Sequence, residues 1–316
     1  MKIVVTGATG FLGSWVCRIL SRAHSINALV RPDSSLYRLE GISPLVISKV
    51  PELQWGEYLQ NSGTDTWISL DWSGVSNKDR NEDFQSKNIE RLEQILDKVK
   101  NIPTIIGTGS QAELGPINDL ISEELPDAPT TKYGEAKVQA RLMMKSHAEE
   151  IGSRFIWARI FSTYGALDSN DWLIPATIDS LLQGKRMPLT KGEQEWSYLH
   201  AYDLAKAFEA MLTSTDIHGI VSVGNPETVM IRDVANLVGK ELNKVGLLGF
   251  GEIPYRPDQV MKLAPLCEKL GNAGWKPVIG LDEGIRHLIN WMSRRPDTPL
   301  RAINSEVLNL HLPTRN

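Results

Sequence analysis

The first thirteen residues limit the fold more than any other stretch. A β-branched run, Lys2–Thr6, passes directly into Thr6-Gly7-Ala8-Thr9-Gly10-Phe11-Leu12-Gly13, and an apolar face with helical spacing (Leu12, Val16, Ile19, Leu20) follows. Glycines spaced G-x-x-G-x-x-G between a strand and a helix permit a tight turn, close backbone approach to an anion and close helix–strand packing. The free N–H groups and positive dipole end of that helix face the anion, so the pattern predicts a pyrophosphate cradle for a dinucleotide. A bland glycine-rich turn is the competing reading, and the flanking strand and helix argue against it.

The same strand–helix rhythm continues. Ile26–Val30, Pro44–Ile47, Thr66–Leu70, Thr104–Gly107 and Phe155–Ala158 read as buried strands. Between them lie the helical patterns Asn88–Lys100 and Tyr133–Glu149. Alternation of this kind builds a doubly wound parallel sheet covered on both faces, an α/β fold of the Rossmann type with ligands at the carboxyl ends of the strands. After about Gly165 the segments shorten (Trp172–Gln183, Tyr202–Leu212, Ile231–Leu242, Leu281–Trp291), which predicts a smaller C-terminal substrate-binding lobe. The expected division is residues 1–165 for the dinucleotide domain, with 196–225 folding back onto it, 166–294 for the lobe, and 295–316 as a tail.

Arg31 follows the second strand, where an acidic residue usually binds the adenosine ribose diol. A guanidinium there pairs with a 2′-phosphate instead, which favours NADP over NAD. The alternative is that Arg31 is solvated and Asp33 turns inward to the diol. Farther along, Tyr133 and Lys137 stand four apart, on one face of a helix. A phenol with a pKa of about 10 is a poor acid–base group near neutrality, and a nearby ammonium brings it toward the working range. Ser110 sits at the carboxyl end of the strand that begins at Thr104.

Together these residues resemble the extended short-chain dehydrogenase/reductases, the NAD-dependent epimerase/dehydratase family. The glycine loop, the order Ser110…Tyr133-x-x-x-Lys137, Asn88 at a helix head, Arg159-Ile160-Phe161-Ser162-Thr163-Tyr164-Gly165, the Trp196–Ala205 segment, Arg256-Pro257-Asp258 and Gly274-Trp275-Lys276-Pro277 carry the resemblance, from Lys2 to about Trp291. It implies that Ser110 hydrogen-bonds a substrate carbonyl, Tyr133 transfers a proton, and Lys137 lowers the tyrosine pKa and holds the nicotinamide ribose. It further implies a cofactor site of Thr6, Gly7, Thr9, Gly10, Phe11, Leu12, Gly13, Arg31, Leu70, Tyr133, Lys137 and Phe161, and substrate contacts from Ser162, Trp196 and Arg256. Two departures stand out. Ile68-Ser69-Leu70-Asp71-Trp72 places a carboxylate and an indole where many relatives have small residues beside the cofactor path, and Trp196 replaces a usual arginine.

Within the family, Gly109-Ser110-Gln111 lacks the acid–base set of dehydratases. The stretches Ser110–Gly115, Gly192-Glu193-Gln194 and Arg256–Met261 look most like nucleotide-sugar 4-keto-6-deoxyhexose reductases of the CDP-abequose/paratose synthase type. The resemblance therefore implies NADPH-dependent reduction of a nucleotide-linked 4-keto sugar. A C4 epimerase holding NAD is the alternative, and a non-catalytic dinucleotide sensor is the second. Paired helices in the family imply a homodimer.

Composition narrows the partners. The 316 residues carry 34 basic and 38 acidic side chains, a formal charge of −4, which supplies no basic field for nucleic acid. Two cysteines make neither a disulfide framework nor a zinc site, and the six histidines show no paired ligand spacing, so no metal is expected. The opening Met1-Lys2-Ile3-Val4-Val5 has no leader pattern, and no run of 18 apolar residues occurs, so a cytoplasmic protein free of membrane is expected.

Overall fold

A computed structural model describes residues 1–76, 79–83, 85–256 and 259–294. Its centre is a seven-stranded sheet that includes β1 (Lys2–Thr6), β2 (Ser25–Val30), β3 (Val46–Lys49), β4 (Thr66–Ser69) and β5 (Thr104–Ser110). The strands Arg154–Ile160 and Gly219–Val223 complete it, and the spatial order is Gly219–Val223, Arg154–Ile160, β5, β4, β1, β2, β3. All six pairings are parallel. Chain order reverses between β1 and β4, and the crevice at their carboxyl ends is where a doubly wound sheet receives ligands.

Alternation along the strands sorts the core into two layers. On β1, Val4 joins Leu29, Trp67, Ile105 and Trp157 on one side, whereas Ile3 and Val5 join Ala28, Ile106 and Ala158 on the other. The first layer is covered by α2 (Trp55–Asn61), α3 (Gln85–Lys98) and α4 (Lys132–Glu150). The second is covered by α1 (Phe11–Leu20) and the helix Ala201–Thr213. Trp15, Trp67 and Trp157 are almost wholly buried, and each contributes stabilisation on the order of 2–3 kcal/mol or more from apolar area alone.

Most elements begin and end within three residues of expectation. The third strand differs: the sequence reads Pro44–Ile47, but pairing runs from Asn27↔Val46 to Val30↔Lys49. Pro44 has no N–H to donate to a ladder, so the strand starts after it. β5 runs three residues past the expected Gly107 and carries Thr108, Gly109 and Ser110 in extended backbone. Outside the large sheet, the segment Glu195–Ser197 pairs with Thr228–Met230 and Lys262–Pro265, and the latter pairs with Leu120–Ile121. Among the described residues no helix is long and apolar enough to cross a membrane. The expected tail 295–316 and the residues Pro257 and Asp258 lie outside the described residues.

Candidate active site

The carboxyl ends of β1, β4 and β5 open into a cleft of about 940 Å³. At one end is the glycine turn. Gly7 has φ +74°, and a Cβ there would lie 2.3 Å from the carbonyl carbon of Leu70, so this turn abuts the end of β4 in a way only glycine allows. Gly10 begins α1 with no side-chain cap, and no acidic residue occupies the helix's first turn. Unmet N–H groups and a positive helix end thus face the cleft, lined here by Gly7, Gly10, Phe11, Leu12 and Gly13. These features fit the pyrophosphate of a dinucleotide.

The other named cofactor residues divide. Leu70, Tyr133, Lys137 and Phe161 line the cleft. Thr6 is buried, its hydroxyl donating to Asp71 Oδ1 and accepting from Trp67 Nε1 at 3.1 Å, so its side chain ties β1 to β4 instead of lining the cleft. Thr9 turns its carbonyl to Arg38, and its side chain is outside the lining. Arg31 is half-exposed, also outside the lining, and lies 3.7 Å from Asp33 and 3.8 Å from Glu52. Arg38, which the sequence reading passed over, lines the cleft and donates to the carbonyls of Leu167 (2.9 Å) and Thr9 (3.4 Å). A single arginine in a short turn carries no periodic signal, so only the folded chain reveals it.

Ser110, Tyr133 and Lys137 meet in the middle of the cleft. Thr131 caps α4 by accepting from the N–H of Gly134 at 3.1 Å, which places Tyr133 and Lys137 in the first two turns. Ser110 and Tyr133 both line the cleft, and the serine hydroxyl is near enough to favour the phenolate of Tyr133. Lys137 Nζ donates to the Thr108 carbonyl at 2.8 Å, lies 3.9 Å from the Trp72 ring centroid and 6.0 Å from that of Tyr133. Burial pulls the Lys137 ammonium down to about 7, against the favourable fields of Glu113 and Asp71.

For Tyr133 the sequence predicts a lowered pKa, and the free protein shows the reverse. Burial pushes the phenol up and outweighs the lowering influence of the Ser110 hydroxyl and of the Arg80 guanidinium, which sits 5.5 Å from the ring centroid. Arg80 also accepts, through its carbonyl, the N–H of Tyr133 at 2.8 Å.

Trp72 is held by its indole N–H, which donates to Gln85 Oε1 at 2.9 Å, while Asn88 brackets Ser73 by accepting from its N–H and donating to its carbonyl. Asn88 therefore supports the chain just past β4.

Beneath Ser110 lies a buried ion cluster. Glu113 is fully enclosed and accepts from the Ser110 N–H at 2.7 Å, from Trp157 Nε1 at 3.0 Å and from Arg159 Nε at 3.1 Å. Arg159 also reaches Asp127 at 3.2 Å, and Arg141 pairs with the same carboxylate. Of the Arg159–Gly165 segment, the Arg159 side chain is buried in this cluster and does not line the cleft. Ile160, Phe161, Ser162, Thr163 and Tyr164 from that segment do line the cleft, and Ser162 Oγ accepts from Trp196 Nε1 at 2.7 Å. Trp196 and the exposed Arg256 line its far end.

Comparison with known proteins agrees with this geometry. Over 94% of its length the chain is 24% identical to the trifunctional UDP-glucose 4,6-dehydratase/UDP-4-keto-6-deoxy-D-glucose 3,5-epimerase/UDP-4-keto-L-rhamnose-reductase RHM1 of Arabidopsis thaliana, covering 47% of that protein. It is 24% identical to the dTDP-4-dehydro-6-deoxyglucose reductase of Escherichia coli over 53% of this chain and 54% of that protein. The chain spans about half the length of these curated relatives. A UDP-glucuronic acid 4-epimerase from Bacillus cereus, solved with UDP-glucuronic acid and NAD, superposes with a TM-score of 0.82 at 21% identity, over 93% of this chain and 100% of that one. Residues 3–224 match the model of the NAD dependent epimerase/dehydratase family, and with the glycine turn, the doubly wound sheet and the Ser110–Tyr133–Lys137 group in one cleft, the chain belongs to that family of extended short-chain dehydrogenase/reductases.

Proposed function

We propose that the chain reduces the 4-keto group of a nucleotide-linked 4-keto-6-deoxyhexose with NADPH, and that Tyr133 supplies the proton. The observation that carries this reading is that Ser110, Tyr133 and Lys137 line the same cleft as the glycine turn. The bound nicotinamide supplies a hydride to the carbonyl carbon. Ser110 donates to the carbonyl oxygen and orients it, Tyr133 gives its proton to the forming alkoxide, and Lys137 holds positive charge behind both. The glycine turn and α1 hold the pyrophosphate, Arg31 and Arg38 serve the adenosine 2′-phosphate, and Trp196, Ser162 and Arg256 receive the nucleotide sugar. The E. coli relative named for a 4-dehydro-6-deoxyglucose supports the substrate class.

One observation favours the epimerase alternative. Arg31 already faces Asp33 and Glu52, which offsets its charge toward a 2′-phosphate and suits a retained NAD. The test is to purify the protein, release and identify any bound dinucleotide, and follow nicotinamide absorbance with NADPH and several nucleotide-linked 4-keto-6-deoxyhexoses. Stoichiometric NADPH oxidation is expected. Isomerisation of a nucleotide hexose at C4 with bound NAD and no net absorbance change would overturn the reductase reading.

A further inference from the structure

After the strand Arg154–Ile160, the chain crosses over α1 in a segment that no catalytic role has absorbed. Trp15 Nε1 of α1 donates to the Ala166 carbonyl at 2.9 Å, and Arg38 joins the Leu167 carbonyl to that of Thr9 in the glycine turn. Leu167 has φ +75°, a left-handed conformation that is strained for a leucine. That backbone turns the next residue, Asp168, inward. Asp168 is 6% exposed and lines the cleft together with Gly10, Phe11, Leu12 and Arg38. Its Oδ1 accepts from the Ser169 N–H at 2.8 Å, and its buried Oδ2 has no hydrogen-bond partner among the described residues. Arg38 is engaged with the two carbonyls and makes no ion pair with it among the described residues.

A buried carboxyl with a vacant oxygen is unfavourable unless a ligand completes it. The nearest expected ligand group is the pyrophosphate of the dinucleotide, whose oxygens only accept hydrogen bonds. A carboxylate would repel them, whereas a carboxylic acid donates to them. Resting on the reading that this cleft takes a dinucleotide, we propose that Asp168 is a cofactor ligand that works as an acid: its enclosed, unpartnered carboxyl carries a proton in the complex and donates it to a phosphate oxygen.

The electrostatics are consistent. Burial raises the free carboxyl to about 7, Asp171 pushes in the same direction, and Arg38 pulls it down. The positive end of α1 also faces the cleft, and Lys137, itself near 7, titrates in the same range. A phosphate beside Asp168 raises its pKa further, so above about pH 7 the complex holds a proton that the free protein has released. Binding then takes up a proton, and affinity falls up to tenfold per pH unit as pH rises.

The test is calorimetric titration of the full chain with NADP⁺ and with NAD⁺ at pH 6 to 9, in pairs of buffers that differ in ionisation enthalpy. Wild type is expected to take up protons at pH 8. Asp168→Asn, a neutral isostere able to donate, is expected to take up close to one fewer, to lose the corresponding slope, and to bind up to tenfold tighter at pH 8. Lys137→Met identifies the other contribution and leaves the Asp168 part in place. An unchanged proton count in Asp168→Asn overturns the proposal, as does a wild-type count near zero at pH 8. Weaker binding of Asp168→Asn across the whole range also overturns it, because the carboxylate would then be accepting from a hydroxyl. No heat with either dinucleotide, from protein first shown to carry no bound dinucleotide, would refute the dinucleotide reading itself, which separates that failure from this one.

Discussion

Removing the Glu113 carboxylate should be the most damaging single change beside the catalytic group. Glu113→Ala leaves the Arg159 guanidinium, fully buried, with only the quarter-exposed Asp127 as a counter-charge, and frees the N–H groups of Ser110 and Trp157. Breaking a buried pair by deleting one partner costs about 3–5 kcal/mol, because the survivor keeps its desolvation penalty. An unfolding entropy of about 2.1 cal/mol/K per residue, over the chain through the helix Leu281–Arg294, gives roughly 0.6 kcal/mol/K, so Tm should fall by about 5–8 °C. Glu113→Gln keeps the shape and one acceptor and should lose about 1.5–3 kcal/mol, the worth of hydrogen bonds to charged groups. Urea unfolding of both variants beside Asp127→Ala, whose carboxylate is partly solvated, measures the order: Glu113→Ala largest, Asp127→Ala smallest. A Glu113→Ala protein within 1 kcal/mol of wild type would refute the view that this cluster anchors Ser110 from below.

Four further outcomes follow from the site. Tyr133→Phe keeps the ring and should retain dinucleotide binding while kcat drops at least ~100-fold, and Ser110→Ala should cost less; near-normal turnover by Tyr133→Phe would contradict its role as proton donor. In an Asp168→Asn background, kcat/KM for the dinucleotide should fall as pH rises through about 7, where the Lys137 ammonium loses its proton, and Lys137→Met should lack that limb. Because the Tyr133 phenol is raised, its own deprotonation should appear only at higher pH than that limb. Arg31→Ala should weaken NADPH by about 1.5–3 kcal/mol more than NADH if a charge-assisted bond to a 2′-phosphate is lost, and Arg38→Ala should do likewise; equal effects on both cofactors would remove these assignments. Light scattering at micromolar concentration should report an isologous dimer built on α3 and α4, twice the 35.2 kDa chain mass, and a monomer would contradict it.

What the sequence disclosed depended on whether a feature was local. The glycine turn and its flanking strand and helix lie within twenty consecutive residues, so periodicity and turn chemistry sufficed. Ser110, Tyr133 and Lys137 were legible because their order and helical spacing coincide. The sheet's last strand, Gly219–Val223, was harder: a short run follows a helix far from its neighbour Arg154–Ile160, and only a broad return of 196–225 was anticipated. Arg38 and Asp168 escaped assignment because their positions depend on long-range contacts, one through Leu167 and Thr9, the other through a left-handed leucine. The Tyr133 pKa went the other way because helical spacing reveals a nearby ammonium but not the loss of water around a phenol.

The indole of Trp157 restricts how β5 can change. A Cβ at Gly109 would come within 2.2 Å of both Trp157 Nε1 and Glu113 Oε1, and one at Gly107 within 2.6 Å of the same indole. Alanine at Gly107 is therefore blocked while tryptophan is present, alanine at Gly109 is blocked by tryptophan and Glu113 together, and a smaller residue at 157 alone leaves a void and removes one of the donors to Glu113. At Gly107 each single step is unfavourable although joint replacement with position 157 restores the filled volume, whereas at Gly109 the Glu113 carboxylate blocks the added carbon whatever stands at 157. Position 107 can therefore change only by paired exchange with the strand beside it, while Gly109 stays glycine for as long as Glu113 holds the Ser110 N–H from below.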